Sequence, residues 1–143
     1  MKKVLKHALV PFSASQMYAL VNDIESYADF LPWCDKSIIL EQTDTDVKAS
    51  LNIAYGSINK SFTTLNKLTP ETKIEMQLVD GPFKKLHGEW LFTQLGDEGC
   101  KINFELEFEF KNKLLSMTMG PVFSQIANTL VDSFSERAQK VYT

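Results

Sequence analysis

The sequence predicts an α+β fold in which a curved antiparallel sheet of about seven strands grips one long C-terminal helix, with two short helices after the first strand. Three observations lead to this fold. Residues 34–111 alternate apolar and polar side chains, which is the period of a strand. Residues 121–142 repeat apolar side chains at helical spacing. A helix-start signal lies between the first strand and residue 34.

The first elements are marked by capping and breaking residues. A strand over residues 2–10 ends at Pro11. Ser13 and Gln16 then form a capping box that starts the first helix. A second short helix, Ser26–Phe30, ends before Pro32 because the residue preceding a proline avoids the helical region.

Turn signals divide the rest of the sheet into about six strands, and sequential strands joined by short turns pair antiparallel. These strands lie near residues 34–42, 47–55, 58–68, 73–79, 84–95 and 100–111. The terminal helix, counted from Pro121, has about 22 residues and a length of about 33 Å. Alternatively, Lys113–Met119 extends this helix across a kink at Gly120–Pro121.

Length and composition are those of one globular domain that spans residues 1–143 and buries its core without metal or disulfide bonds. The net charge of −3 argues against a non-specific nucleic-acid binder, and no DNA partner is expected. Cys34 and Cys100 lack metal-ligand or redox spacing and are expected to be reduced, semi-buried thiols. No apolar run approaches the roughly 20 residues of a membrane span, so a cytoplasmic location is expected.

The strands near residues 84–95 and 100–111 share one aromatic face. Gly88, Trp90 and Phe92 occupy even positions of the first of these strands, while the odd positions of the second are polar. Two large rings and a glycine leave an uneven surface, which means either a filled core or a concave pocket for an apolar ligand. A single helix about 10 Å across cannot cover the concave face of such a sheet, which favours the pocket.

The segment Tyr27–Cys34 concentrates apolar side chains where breaking residues indicate a loop, although loops are usually polar. It either plugs the mouth of the sheet as core or gates a cavity, and both interpretations stay open. The candidate ligand-binding residues from this loop, the inner face and the terminal helix are Phe30, Leu31, Pro32, Trp33, Phe83, Trp90, Phe92, Phe104, Phe108, Met119, Phe123, Ile126 and Leu130.

The sequence offers little catalytic machinery. His7 and His87 are the acid–base groups available near neutral pH, and His87 lies on the strand face opposite Trp90. Two histidines and two cysteines without clustering supply no recognisable metal-ligand set. A phosphate-binding glycine loop and a nucleophile elbow are also lacking. The sequence therefore predicts a non-enzymatic protein without a metal.

Five segments taken in order resemble a known family. They are Asn22–Tyr27, Phe30–Cys34, Asp80–Leu86, Trp90–Phe92 and Phe108–Phe110. Together they resemble the coenzyme Q-binding START-domain family, which is grouped with polyketide cyclases and dehydratases. Among bacterial members the chain looks most like the ribosome association toxins of gammaproteobacteria. The resemblance covers essentially the entire chain, although many toxin-branch members have glycine in place of Trp33.

The resemblance implies a helix-grip, START-like fold with a hydrophobic tunnel that binds a polyisoprenoid quinone such as ubiquinone in support of respiration. The quinone would be a bound ligand, with no required cofactor and with transient contact to a membrane surface. For the toxin branch the resemblance implies a toxin–antitoxin pair and binding to the large ribosomal subunit that blocks subunit association. Lys84 and Lys85 are candidate ribosome contacts, although solvated surface lysines are the simpler interpretation.

A third hypothesis is a polyketide cyclase or dehydratase, which would need a polar catalytic group inside the cavity. Lys60, Tyr18 and Tyr55 are the candidates for that group. Binding of an apolar ligand is the leading hypothesis of the three, since the aromatic inner face and the apolar loop both favour it. The choice of a quinone as that ligand is what the resemblance implies.

Overall fold

A computed structural model describes residues 1–143 and contains one seven-stranded antiparallel sheet with three α-helices. The strands are β1 (Lys2–Val10), β2 (Cys34–Gln42), β3 (Asp46–Tyr55), β4 (Ile58–Thr69), β5 (Lys73–Asp80), β6 (Phe83–Leu95) and β7 (Gly99–Phe110). The helices are α1 (Ala14–Asn22), α2 (Tyr27–Phe30) and α3 (Lys113–Tyr142), and a 3₁₀ turn, Ile24–Ser26, precedes α2. The predicted fold class is confirmed.

The sheet has the order β1-β7-β6-β5-β4-β3-β2, so β2 to β7 form a meander and β1 pairs with its last strand. In β6 and β7, even positions lie opposite even positions: Trp90 pairs with Phe104 and Leu86 with Phe108. All four side chains are buried. The register therefore places the predicted aromatic face on the concave side, against α3.

The outer face of the sheet carries the polar and charged side chains that alternate with the buried ones. Glu105, Glu107 and Glu109 follow one another along β7, and Lys3 on β1 lies 2.8 Å from Glu105 through its Nζ atom. His87 is exposed on β6, as its odd position predicts. Exposed ion pairs of this kind are screened by water and contribute little, so burial of the inner face accounts for most of the stability of the sheet.

Helix α1 starts as its sequence predicts. The backbone N–H of Gln16 donates to Oγ of Ser13 at 3.1 Å, and the backbone N–H of Ser13 donates to Oε1 of Gln16 at 2.9 Å. This capping box satisfies two backbone donors and lets α1 bury Met17, Leu20 and Val21.

Helix α3 is longer than the count from Pro121 predicts. It begins at Lys113, where Oδ1 of the N-cap Asn112 accepts a hydrogen bond of 2.9 Å from the backbone N–H of Leu115. The helix continues through Pro121, which cannot donate the bond that the carbonyl of Met117 would accept. The cap at Asn112 decides where the helix starts, and the extended alternative is the one observed. None of the helices combines the length and apolar character needed to cross a membrane.

The turn between β5 and β6 requires Gly81. Its φ is +148°, and a Cβ atom at this position would lie 2.7 Å from Cβ of Phe62 on β4. A side chain here would therefore strain the backbone and displace β4. The close approach of turn and strand brings Phe83 at the start of β6 to within 5.8 Å of Phe62, measured between ring centroids.

Candidate functional site: an apolar cavity between the sheet and the terminal helix

A cavity of about 80 Å³ lies between the concave face of the sheet and α3. Of the 17 residues that line it, 15 are hydrophobic. They are contributed by the segment before β2, by strands β3 to β7 and by α3. The lining residues are Ile24, Tyr27, Trp33, Ala49, Leu51, Phe62, Thr64, Asn66, Met76, Leu86, Trp90, Phe104, Leu106, Phe123, Ile126, Ala127 and Leu130.

The cavity exists because the buried core is divided in two. The larger cluster has 31 buried residues, and a small separate cluster contains Ile24, Val47 and Ala49. Lining residues come from both clusters, so the cavity occupies the space between them. Ala49 on β3 and Ala127 on α3 are too short to close this space. Close packing is the rule in protein interiors, so an apolar gap between the sheet and the helix is a candidate ligand site.

Trp90 is a wall residue that packs tightly against two other rings. Its ring centroid lies 4.5 Å from that of Phe104 and 5.4 Å from that of Phe134, with a T-shaped arrangement in the second pair. Only 2% of Trp90 is exposed. Aromatic pairs of this geometry contribute about 0.5–1.5 kcal/mol beyond their burial, so this wall is held firmly.

The segment that covers the mouth of the sheet is tied to the strands beneath it. Oγ of Ser37 on β2 accepts from the backbone N–H of Ala28 and donates to the carbonyl of Glu25, both at 3.2 Å. Farther along, the backbone N–H of Ala54 on β3 donates to the carbonyl of Trp33 at 2.8 Å. These hydrogen bonds hold the backbone of the segment in place. Any opening of the mouth would therefore require the side chains to move.

Trp33 and Ile126 lie between the cavity and a depression of the surface. Both residues line the internal cavity and also a depression of about 320 Å³ outside it. The depression is lined by Pro32, Trp33, Tyr55, Pro121, Val122, Gln125, Ile126 and Thr129. We refer to Trp33 and Ile126 as the gate. The loop before β2 was predicted either to plug the sheet or to gate a cavity. Trp33 is 92% buried and borders the cavity, a position that fits both interpretations, so gating stays a prediction.

Six of the thirteen predicted ligand-binding residues line the cavity. They are Trp33, Trp90, Phe104, Phe123, Ile126 and Leu130. Leu31 is 1% exposed and Met119 is 3% exposed, but both are buried away from the cavity. Pro32 is exposed and lines the outer depression instead. For these last three residues the prediction of a place in the cavity wall does not hold.

The remaining predicted residues are aromatic side chains packed against other rings. Phe83 stacks on Phe110 at 4.9 Å and Phe108 lies 4.8 Å from Phe123, so both belong to an aromatic cluster beyond one end of the cavity. Phe92 lies edge-on to Tyr18 at the other end. Phe30 packs against Phe134, with the guanidinium carbon of Arg137 4.9 Å from its ring centroid. These four do not line the cavity. For the three strand residues, alternation specifies a face and not a position along it, and Phe30 lies on α2.

Sequence reasoning missed the part of the wall that comes from β3, β4 and β5. Ala49, Leu51 and Met76 carry no distinctive signal, although their strands were predicted. Phe62, Thr64 and Asn66 did offer one, because they alternate on β4 and place two polar residues on the inner face. Oγ1 of Thr64 donates to Oδ1 of Asn66 at 2.9 Å.

Titratable groups near the cavity are held in their neutral forms. Burial, reinforced by Asp23 and Cys34, raises the pKa of the Tyr27 phenol, whose hydroxyl donates to the backbone carbonyl of Val21. Burial likewise raises the pKa of the Cys34 thiol to about 11. Cys34 and Cys100 are both free thiols, and they are fully buried where the sequence predicted semi-buried positions. A neutral thiol and a neutral phenol are poor nucleophiles and poor bases at neutral pH.

A second feature lies on the surface where β1, β6 and β7 meet the start of α3. Four exposed lysines, Lys2, Lys84, Lys111 and Lys113, line a broad groove of about 860 Å³, in which Glu109 is the acidic residue. Nζ of Lys84 lies 3.6 Å from Oε2 of Glu109. We call this surface the lysine groove. It is locally basic on a chain whose net charge is −3.

The two predicted ribosome contacts are placed differently with respect to this groove. Lys84 lines it. Lys85 pairs with Glu109 across the ladder, next to the register shift between Phe83 and Lys85, and does not line the groove. Leu114 and Met117, 70% and 68% exposed, add apolar surface to the first turns of α3 beside the groove.

Solved structures with the same architecture include the Zhui aromatase/cyclase from Streptomyces sp. R1128, with a TM-score of 0.88, 16% identity and coverage of 99% of this chain and 96% of that one. A START superfamily protein from Mycobacterium smegmatis has a TM-score of 0.82, 19% identity and coverage of 97% and 98%. At these identities the likeness shows the fold alone. A seven-stranded sheet closed around a terminal helix and an apolar cavity thus defines a START-like domain.

Sequence comparisons place the chain within this class. The profile of the family described as polyketide cyclase / dehydrase and lipid transport matches residues 10–135. The Ribosome association toxin RatA of Escherichia coli K12 is 50% identical over 143 residues, with coverage of 100% of this chain and 90% of that protein. The Coenzyme Q-binding protein COQ10 homolog B, mitochondrial, of Xenopus laevis is 28% identical over 136 residues, with coverage of 92% and 55%. The chain belongs to the polyketide cyclase / dehydrase and lipid transport family, and its relatives include ribosome association toxins and, more distantly, coenzyme Q-binding proteins.

Proposed function

We propose that the protein is a non-enzymatic binder of an apolar ligand with a quinone ring, with ubiquinone as the leading candidate and respiration as the process it supports. The gate carries this proposal, because Trp33 and Ile126 alone border both the apolar cavity and the depression that opens to solvent. The coenzyme Q-binding relative supports the choice of quinone.

The size of the cavity specifies how such a ligand would bind. A volume of about 80 Å³ is too small for a substituted ring, since pockets for such ligands measure about 300–1,000 Å³. Rotation of the Trp33 side chain would join the cavity to the outer depression of about 320 Å³ and bring the combined space into that range. The ring would then occupy the interior and the isoprenoid tail would follow the depression along α3.

The lining supports binding over catalysis. Of the polar groups considered for a cyclase, Lys60 is exposed, Tyr55 lines the outer depression and Tyr18 packs against Phe92. The hydroxyl of Tyr27, the lining residue that could act as an acid, is already bonded to a backbone carbonyl. The relatives that match over most of this chain carry the names of a toxin and a binding protein.

Native mass spectrometry of protein purified without detergent, followed by lipid extraction, tests the proposal. We expect one lipid of quinone type per chain, and we expect ubiquinone added to ligand-free protein to quench its tryptophan fluorescence. Absence of any bound lipid together with absence of quenching would show that the space is a packing defect.

We propose ribosome association as a second function, carried by a different surface. Four lysines facing one groove provide a track for phosphate groups, which supply most of the affinity in nucleic-acid binding. RatA of E. coli, named as a ribosome association toxin, matches along the full length of this chain and supports the proposal. The large subunit would be the partner, an antitoxin would oppose the activity, and the site of action would be the cytoplasm.

Sedimentation of purified ribosomal subunits with increasing amounts of the protein tests this second function. We expect the protein to move with the large subunit and to shift mixed subunits away from the associated particle. Unchanged sedimentation at saturating protein would remove the ribosome hypothesis and leave ligand binding unaffected.

A further inference from the structure

Two polar side chains interrupt the otherwise hydrophobic wall of the cavity. Thr64 and Asn66 on β4 are the two residues of the 17 in the lining that are not hydrophobic, and they are 8% and 6% exposed. Their spacing of two places both on the inner face. Burial of a polar group among apolar neighbours is unfavourable unless it forms hydrogen bonds. The presence of two polar side chains at this position therefore needs a structural or functional explanation.

The hydrogen bond within the pair uses only part of its capacity. Oγ1 of Thr64 donates to Oδ1 of Asn66 at 2.9 Å, which occupies the hydroxyl proton and the amide oxygen. The Nδ2 group of Asn66 carries two further N–H donors, and no protein acceptor faces them. The residues opposite Asn66 in the sheet are Val47 and Met76, whose side chains offer no oxygen acceptor.

The free donors border open space. Three buried side-chain atoms have neither a hydrogen-bond partner nor accessible surface, and they belong to Asn22, Ser124 and Arg137. The amide nitrogen of Asn66 is not one of them, so this nitrogen keeps some accessible surface. Since Asn66 lines the cavity, this nitrogen is available to a molecule inside it. A water molecule would be poorly held there, because buried water needs two to four polar partners and this wall offers a single pair.

We propose that the Asn66 amide is the recognition point for a carbonyl oxygen on an otherwise apolar ligand, and that Thr64 holds the amide in the required orientation. The proposal rests on the apolar-ligand function above and specifies its chemistry. A ring ketone accepts one or two N–H bonds and presents hydrocarbon on its other sides, which matches one donor group in a hydrophobic lining. A hydrocarbon of the same shape would leave the amide without a partner.

Calorimetric titration with two compounds tests this assignment: decylubiquinone, which has ring carbonyls, and decylbenzene, which has none. We expect the unmodified protein to bind decylubiquinone more tightly. Asn66→Leu keeps the approximate side-chain volume and removes the donors, so decylubiquinone should bind about tenfold more weakly, as expected for loss of one hydrogen bond in a closed site. Affinity for decylbenzene should stay the same or increase.

Thr64→Val is the second variant and Thr63→Val, on the outer face of β4, is its matched control. We expect the first to weaken decylubiquinone binding severalfold and the second to leave it unchanged. The thermal midpoint of ligand-free Asn66→Leu should change little, because the variant removes amide donors that lack partners but also removes the acceptor of the Thr64 hydroxyl.

The outcomes separate this inference from the function on which it rests. If the unmodified protein binds neither compound, both are overturned. If it binds both compounds and Asn66→Leu changes neither affinity, the carbonyl anchor is overturned and the apolar-ligand function stands. A lower thermal midpoint of Asn66→Leu with unchanged decylubiquinone affinity would show that the pair only stabilises the fold.

Discussion

Gly88 on β6 leaves the space that the Met76 methyl group occupies. A Cβ atom at Gly88 would lie 2.6 Å from Cε of Met76, and 3.0 Å from Cδ1 of Leu106. Met76 and Leu106 both line the cavity, and Gly88 itself has no positive φ that would require glycine. The missing side chain thus sets the position of the cavity wall and has no role in a turn.

Gly88→Ala should therefore reduce the cavity without disrupting the sheet. The added methyl group displaces the flexible end of Met76 toward the open space, so the loss of stability should remain near the lower end of the roughly 1–3 kcal/mol for overpacking. We expect quinone affinity to fall at least tenfold in a fluorescence titration. Gly120→Ala on α3, outside the cavity, is the control and should bind normally. Equal affinities for the two variants would place the ligand elsewhere.

Trp90→Ala should destabilise the protein strongly. The ring is packed between Phe104 and Phe134, so its removal leaves a large void in a rigid wall. The expected loss in free energy of unfolding is about 3–5 kcal/mol. Urea denaturation measures it, and a loss below about 1 kcal/mol would indicate that the wall collapses into the existing cavity.

Trp33→Ala should act mainly on the exchange of ligand. Its backbone is held by Ala54, but its indole separates the cavity from solvent, so truncation opens the path. We expect both association and dissociation of quinone to become faster in stopped-flow fluorescence read through Trp90. Trp33 is 8% exposed, so some loss of stability accompanies the change, and Trp33→Phe should retain most of it. Unaltered rates would mean that Trp33 is not the gate.

Stability should decrease in alkaline solution because of the buried thiol and phenol. The pKa of Cys34 rises from 9.0 to about 11 on folding, so the folded state keeps a proton that the unfolded chain releases. The contribution is complete below about pH 9 and declines as the pH approaches about 11. Tyr27, whose pKa is also raised by burial, extends the decline at higher pH. The urea midpoint should fall from pH 8 to pH 10.5.

Cys34→Ala isolates the thiol in that experiment. Its midpoint should depend less on pH over the same interval, whatever its stability at pH 8, because the group that gains a proton on folding is gone. Identical pH dependence of the variant and the parent would assign the effect to other residues.

Charge reversal in the lysine groove should weaken ribosome binding. Lys84→Glu combined with Lys113→Glu removes two phosphate partners, so the dependence of log affinity on log salt should decrease by about two. The effect should be greatest at low salt, where screening is least. Lys67→Glu combined with Lys140→Glu, at two exposed positions outside the groove, is the charge-matched control. A similar loss in the control would indicate a response to net charge alone.

The two proposed activities use different surfaces, so each of these variants should impair only one of them. The reversal at Lys84 and Lys113 lies outside the cavity and should leave quinone affinity unchanged. Gly88→Ala should conversely leave ribosome binding unchanged. Loss of both activities in either variant would show that ligand binding and ribosome association are coupled.

The fold could be predicted from the sequence because its evidence is local. Alternation along β6 and β7 specifies which side chains face the core, and Ser13 with Gln16 marks the start of α1. The ordered segments that include Trp33 and Trp90 identified the family. These features depend on neighbouring residues or on short motifs, so one chain without a structure suffices to find them.

The location of the cavity depended on the tertiary structure. Phe83 and Trp33 were equally plausible ligand contacts in the sequence, but Phe83 meets Phe110 and Phe123 in a closed aromatic cluster while Trp33 borders open space. Alternation predicts the face of a residue. Sheet curvature and the path of α3, which starts at the Asn112 cap, determine where along that face the layers separate. A cavity forms where side chains from distant segments fail to fill the space between them, so no local sequence pattern predicts its position.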